Sequence, residues 1–135
     1  MFSLFTFHEE LISHLTTSLT QEMADAAPAI YVHIPEDAKG SLVVIDTLSL
    51  KNWDADRSEG VEISFTTHVY DDSASFKRCN DIAMILRAKV ENFIPAHISL
   101  VNLTIEDQKK NVTPSSRRQH MSMSWRLVGE INTQA

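Results

Sequence analysis

The chain has 135 residues, 43 % of them hydrophobic and 22 % charged, with a formal net charge of -6 at pH 7. That balance fits one globular domain, residues 1–135, able to bury a core without staples, and argues against disorder over most of its length. Eighteen acidic against twelve basic residues is the wrong sign for a free-standing nucleic-acid binder, and the single cysteine, Cys79, excludes an intramolecular disulfide and a cysteine-rich zinc site.

The opening MFSLFTF is apolar but short, lacks a basic flank and runs into HEE. It does not read as a secretory signal, no stretch approaches the roughly 18 apolar residues of a membrane span, and an intracellular place of synthesis is expected. Thr6 with Glu9 has the spacing of a capping box, and Phe7, Leu11, Leu15 and Leu19 follow at intervals of four. Together they predict an amphipathic helix over 7–23, which Pro28 ends. AIYVHI is a short strand, EDAKG a turn and SLVVIDTLSL a second strand. KNWDADRSEG reads as a polar loop. In VEISFTTHVY, Val61, Ile63, Phe65, Thr67 and Val69 share one face, and Glu62, Ser64, Thr66, His68 and Tyr70 the other.

Asp72 or Ser73 can cap a second helix, whose apolar stripe is Phe76, Cys79, Ile82, Ala83, Leu86, Val90 and Phe93, up to Pro95. HISLVNLTI is a fourth strand. The segment 106–118 has no periodicity and reads as a long flexible loop. HMSMSWRLV is the last strand, with Met121, Met123, Trp125 and Leu127 facing inward, and 131–135 is a tail. The expected fold is α+β, order α-β-β-β-α-β-β. A mostly antiparallel sheet of about four to five strands carries two helices on one face, and its other face meets water or a partner with His68, Tyr70 and His120 upon it.

Chemistry-bearing motifs fail one by one. HEELISH lacks the second histidine four residues after His8; His14 lies about 240° round the helix. A calcium loop begun at Asp54 meets Glu59 and Phe65 where Gly and Glu are required. Three scattered glycines build no phosphate cradle, there is no G-x-S-x-G elbow, and the triplets at Asn102 and Asn111 read as chance without secretion. Cys79 has the spacing of a core residue. His68 could act as a base oriented by Asp71 or Asp72, but no nucleophile stands near it in sequence, and a polar strand face plus a helix cap explains the same residues. No catalytic, metal or cofactor-binding residue is therefore expected. Lys109, Lys110, Arg117 and Arg118, with Glu106 and Asp107, are candidate assembly contacts, as are Asp54, Asp56 and Arg57.

The segments FHEELISHLTTSL, IYVHIPEDAKGSLVVIDTLSLKNW, GVEISFTTHVYDDSASFKRCNDIAMILRAKVENF and HMSMSWRLV resemble, in order and spacing, the tail terminator (tail completion) proteins of long-tailed phages, prophages and gene transfer agents. The resemblance implies a mixed α/β domain that assembles as a homo-hexameric ring. The ring would cap the tail tube, stop its polymerisation and join it to the head, with the major tail tube protein and the head-tail connector as partners. It would be made in the host cytoplasm and reside in the virion at the head-proximal end of the tail. DNA would pass through the ring without specific binding and no membrane would be involved; an acidic wall would not grip phosphates. Two alternatives remain at this point: a head-tail joining adaptor of similar fold, and a small α+β ligand-binding or regulatory module, which would show a deep polar-lined pocket.

Overall fold

A computed structural model describes residues 3–32, 39–55, 58–111 and 118–131. Helix α1 spans Leu4–Met23, a 3-10 turn follows at Ala24–Ala26, and strands β1 (Ala29–Tyr31), β2 (Leu42–Ala55) and β3 (Ser58–Asp71) lead to helix α2 (Phe76–Glu91). Strands β4 (Ile98–Asn111) and β5 (Gln119–Ile131) complete an α+β fold whose sheet has the order β1-β2-β3-β5-β4. Three of the four pairings are antiparallel, while β1 runs parallel to β2, with Ile30 opposite Val43.

The period-2 signal decides which sheet face is covered. Val61, Ile63, Phe65, Thr67 and Val69 of β3 are buried, as are Met121, Met123, Trp125 and Leu127 of β5. The helices lay Phe7, Leu11, Leu15, Leu19, Cys79, Ile82, Leu86 and Val90 onto that face. Phe7 links the layers, its ring centroid 5.8 Å from Phe65 and 5.7 Å from Phe93. Thr67, a polar residue of the β3 core face, accepts a hydrogen bond from the Trp125 indole N–H at 3.1 Å, so the tryptophan is buried without an orphaned donor.

Several boundaries differ from expectation. Ser3, not Thr6, caps α1: its hydroxyl accepts from the Thr6 backbone N–H at 3.1 Å. Nothing between Ser3 and Thr6 opposes helix, so the helix starts a turn earlier. Ser75, not Asp72 or Ser73, caps α2, accepting from Lys77 N–H at 3.2 Å. In a run of Asp and Ser, several residues have the cap chemistry, and the one adjoining the first helical residue takes the role. β1 and β2 are parallel and so do not form a hairpin; residues 36–38 of the expected EDAKG turn lie outside the described residues.

The polar loop expected over KNWDADRSEG is mostly ladder, with Asn52 opposite Val61, Asp54 opposite Glu59 and Ala55 opposite Ser58. The long loop expected at 106–118 is strand as far as Asn111, which pairs with His120. In both places a hairpin runs on with polar side chains. There backbone pairing continues the ladder while the hydrophobic alternation that marks a strand is lost. Residues 112–117 lie outside those described, as do 132–135; the expected tail at 131–135 begins only after Ile131, which still pairs with Ile98.

Gly129 is the close-approach point of β5 and β4. A Cβ added there would overlap Ile98 Cγ2 and sit 2.8 Å from the Ser99 carbonyl oxygen. One obstacle is backbone and cannot turn aside, so Gly129→Ala is expected to destabilise by about 1–3 kcal/mol in urea unfolding, with the m-value unchanged.

Candidate functional site

Side chains on the outer sheet face converge at the far end of β3. His68 and Tyr70 alternate outward from β3, His120 stands opposite Tyr70 on β5, and Asp46 projects from β2. Tyr70 and His120 stack with centroids 4.1 Å apart at 15°, and the His68 and His120 rings lie 5.0 Å apart. His68 Nε2 is 3.0 Å from Asp46 Oδ1 and His68 Nδ1 is 2.8 Å from His120 Nε2. A carboxylate only accepts, so the Asp46 contact places a proton on His68 Nε2; the direction of the His68 Nδ1–His120 Nε2 bond follows the tautomers of the two rings. Burial, then the neighbouring His68, holds the His120 pKa down to about 4, against the pull of Asp46. Burial, then the Asp46 charge, raises the Tyr70 phenol.

Asp71 and Asp72, expected as orienting acids or caps, do something else. Asp71 is buried and accepts from the Ser41 hydroxyl at 2.6 Å and the Ser73 N–H at 3.1 Å, with the Arg78 guanidinium 3.7 Å away. Asp72 accepts from the Gly40 N–H at 2.6 Å and pairs with Arg118 at 3.1 Å. Gly40 has φ +78, where a side chain would be strained. The two aspartates thus tie the segment before β2 to the loop before α2 and to β5.

This cluster resembles a triad without being one. Ser122 lies opposite His68, yet both imidazole nitrogens are taken by Asp46 and His120, and the Ser122 hydroxyl accepts from Asn111 at 2.9 Å. A nucleophile requires its base on one nitrogen and the acid on the other. Cys79 is buried, its thiol pushed up to about 11 by burial and then by the Asp71 charge, and it donates to the Val69 carbonyl. A protonated thiol at neutral pH is a poor nucleophile. His14 bonds the Lys89 carbonyl oxygen at 2.8 Å. Among the described residues, no group of three or more His, Cys, Asp or Glu is placed to hold a metal ion, and no helix is long and apolar enough to cross a membrane.

The candidate assembly residues separate into two ends of the sheet. Glu106, Asp107, Lys109 and Lys110 lie on β4, the outermost strand, and not in a loop. Lys110 Nζ stands 4.6 Å over the Phe76 ring at the start of α2, and Arg118 is held by Asp72. Asp54 sits near the tip of the β2–β3 hairpin, at the other end, since Gly60 pairs with Glu130 whereas Asp71 pairs with Gln119. Asp56, Arg57 and Arg117 lie outside the described residues. Alternation alone placed His68, Tyr70 and His120 on one face; Asp46 was missed because its approach to His68 depends on the β2–β3 register.

A lowered His120 pKa makes stability pH-dependent. Between pH 6.5 and about 4 the unfolded imidazole binds a proton that the folded one refuses, so this residue's contribution falls as pH falls and levels out below about 4. His120→Gln is expected to flatten that part of the stability curve. Urea midpoints of both proteins from pH 7 to 4 measure it; parallel curves would contradict the assignment.

No family model matches the chain, and no curated protein matches it. The fold itself is that of a known virion component. Aligned with a chain from the virion of a native gene transfer agent (GTA) particle, the protein gives a TM-score of 0.65 at 18% sequence identity, over 86% of this chain and 94% of that one.

Proposed function

We propose that the protein is a structural virion component and acts as a tail terminator. Its copies form a homo-hexameric ring that caps the tail tube, halts its polymerisation and offers a surface to the head connector. The carrying observation is the shared fold with a chain of the gene transfer agent virion, which extends over nearly all of that chain. The sequence resemblance to tail terminator proteins, drawn from the order of elements, leads to the same reading. It works without catalysis: the histidines on the outer sheet face are spent on each other and on Asp46. On this reading the partners are further copies of the chain, the major tail tube protein and the connector, with DNA passing through and no membrane contacted. The protein resides at the head-proximal end of the tail.

The β2–β3 and β4–β5 hairpins turn at opposite ends of the sheet. Glu106, Asp107, Lys109 and Lys110 lie along the edge strand β4 and Arg118 just before β5, where charge-assisted contacts between subunits, or with tube and connector, can form; Asp54 stands near the end of β2. The test is deletion of the gene in the producing cell. Loss of the terminator is expected to leave heads and tails unjoined, with tails of uncontrolled length in electron micrographs. Tails of normal length that fail only to join heads would instead assign the adaptor role, and normal particles would remove the chain from the virion.

A further inference from the structure

Charge and apolar exposure are distributed unevenly along α2. At its start stand Lys77, paired with Asp81 one turn on at 2.9 Å, and Arg78, 3.7 Å from Asp71, and the Lys110 ammonium reaches the same place over Phe76. Just past its end, Glu9, Glu10, Ser13, His14, Phe93 and Ile94 line an open hollow of about 540 Å³. Ile94 is 77% exposed, and Phe5, one turn before Glu9 on the same α1 stripe, is 71% exposed. Phe5 also lines an apolar groove with Leu4, His8 and Leu48, and the buried His8 Nε2 has no hydrogen-bond partner among the described residues. A helix of this length holds the two ends about 24 Å apart.

We infer that the acidic, apolar end of α2 receives the basic end of a second copy of this chain, head to tail. The reasons are complementarity and position. A carboxylate-rimmed hollow floored by Phe93 suits a lysine, whose aliphatic stem packs on apolar surface while its ammonium meets the acids. Two large apolar side chains, Ile94 in the hollow and Phe5 one turn along α1 from Glu9, are exposed in the lone subunit. The complementary patches sit at opposite ends of one molecule, so the contact is heterologous; repeated, it closes into a ring or runs on as a filament. It thus deepens the ring reading, on which it rests, by naming the surface through which each subunit meets the next.

The experiment uses charge reversal at exposed positions. One variant carries Glu9→Lys and Ile94→Lys, the other Lys77→Glu and Lys110→Glu. Each is to replace the wild-type gene in producing cells, alone and together, with finished particles counted by electron microscopy and each purified variant melted as a folding control. Each variant alone is expected to melt within a few degrees of wild type and to lose finished particles. Co-expression is expected to restore them, because a subunit basic at both ends pairs with one acidic at both. Finished particles with either variant alone, or none on co-expression of two folded variants, would overturn the contact. Wild-type tails imaged without a ring of this chain would overturn the ring reading separately, whatever the variants do.

Discussion

Trp125→Ala is expected to lower stability by about 3–5 kcal/mol, the range for truncating a fully buried large aromatic side chain. Trp125 is 1% exposed, lies parallel to Phe65 at 6.3 Å between centroids, and donates its indole N–H to Thr67. Truncation removes the apolar area, leaves a cavity at the middle of the sheet and strands the Thr67 hydroxyl. Urea unfolding measures the total, and two further variants divide it. Trp125→Phe keeps an aromatic surface but loses the hydrogen bond. Thr67→Val orphans the indole N–H in an apolar layer, an effect of about 1–3 kcal/mol. A near-neutral Trp125→Ala would mean that β5 does not present this face to the helices.

The second large effect is on the other side of the same core. Leu86 is fully buried in the apolar stripe of α2. Leu86→Ala is expected to destabilise by about 2–5 kcal/mol, in proportion to how little the surrounding helices and sheet can close the space. Met84, two residues earlier and 46% exposed, supplies the control: Met84→Ala is expected to change stability by less than about 0.5 kcal/mol. Equal effects at the two positions would refute the assigned face of α2.

Legibility followed the core. Wherever a side chain had to choose between helix layer and solvent, its period showed in the sequence: Leu11 and Leu15 at four, Phe65 and Val69 at two, Met123 and Trp125 at two. The same residues that announce the elements hold them together. Legibility failed where no such choice exists. Lys109 and Lys110 belong to a strand, yet their alternation is polar on both sides, and Asp54 pairs in a hairpin that composition alone describes as a loop. Caps were misplaced by a few residues because Ser3 and Thr6, or Asp72, Ser73 and Ser75, offer the same chemistry.

The outer-face cluster shows the same division. Tyr70, His68 and His120 could be placed on a common face by parity. Parity cannot give the pairing of His68 with Asp46, because Asp46 and His68 belong to separate strands whose register carries a shift between Asp46 and Ser49. That pairing matters to the functional reading. With Asp46 on one nitrogen and His120 on the other, His68 cannot serve as the base of Ser122, so the face that looked most like a catalytic site is a closed hydrogen-bonded network.

The most direct test of the central claim is an electron cryomicroscopy reconstruction of the tail's head-proximal end in particles from cells that carry this gene. The expected result is a six-fold ring of this chain between the last tube layer and the connector, its subunits related head to tail along α2. A reconstruction in which that junction is built wholly from other proteins, with this chain absent from the particle, would contradict it.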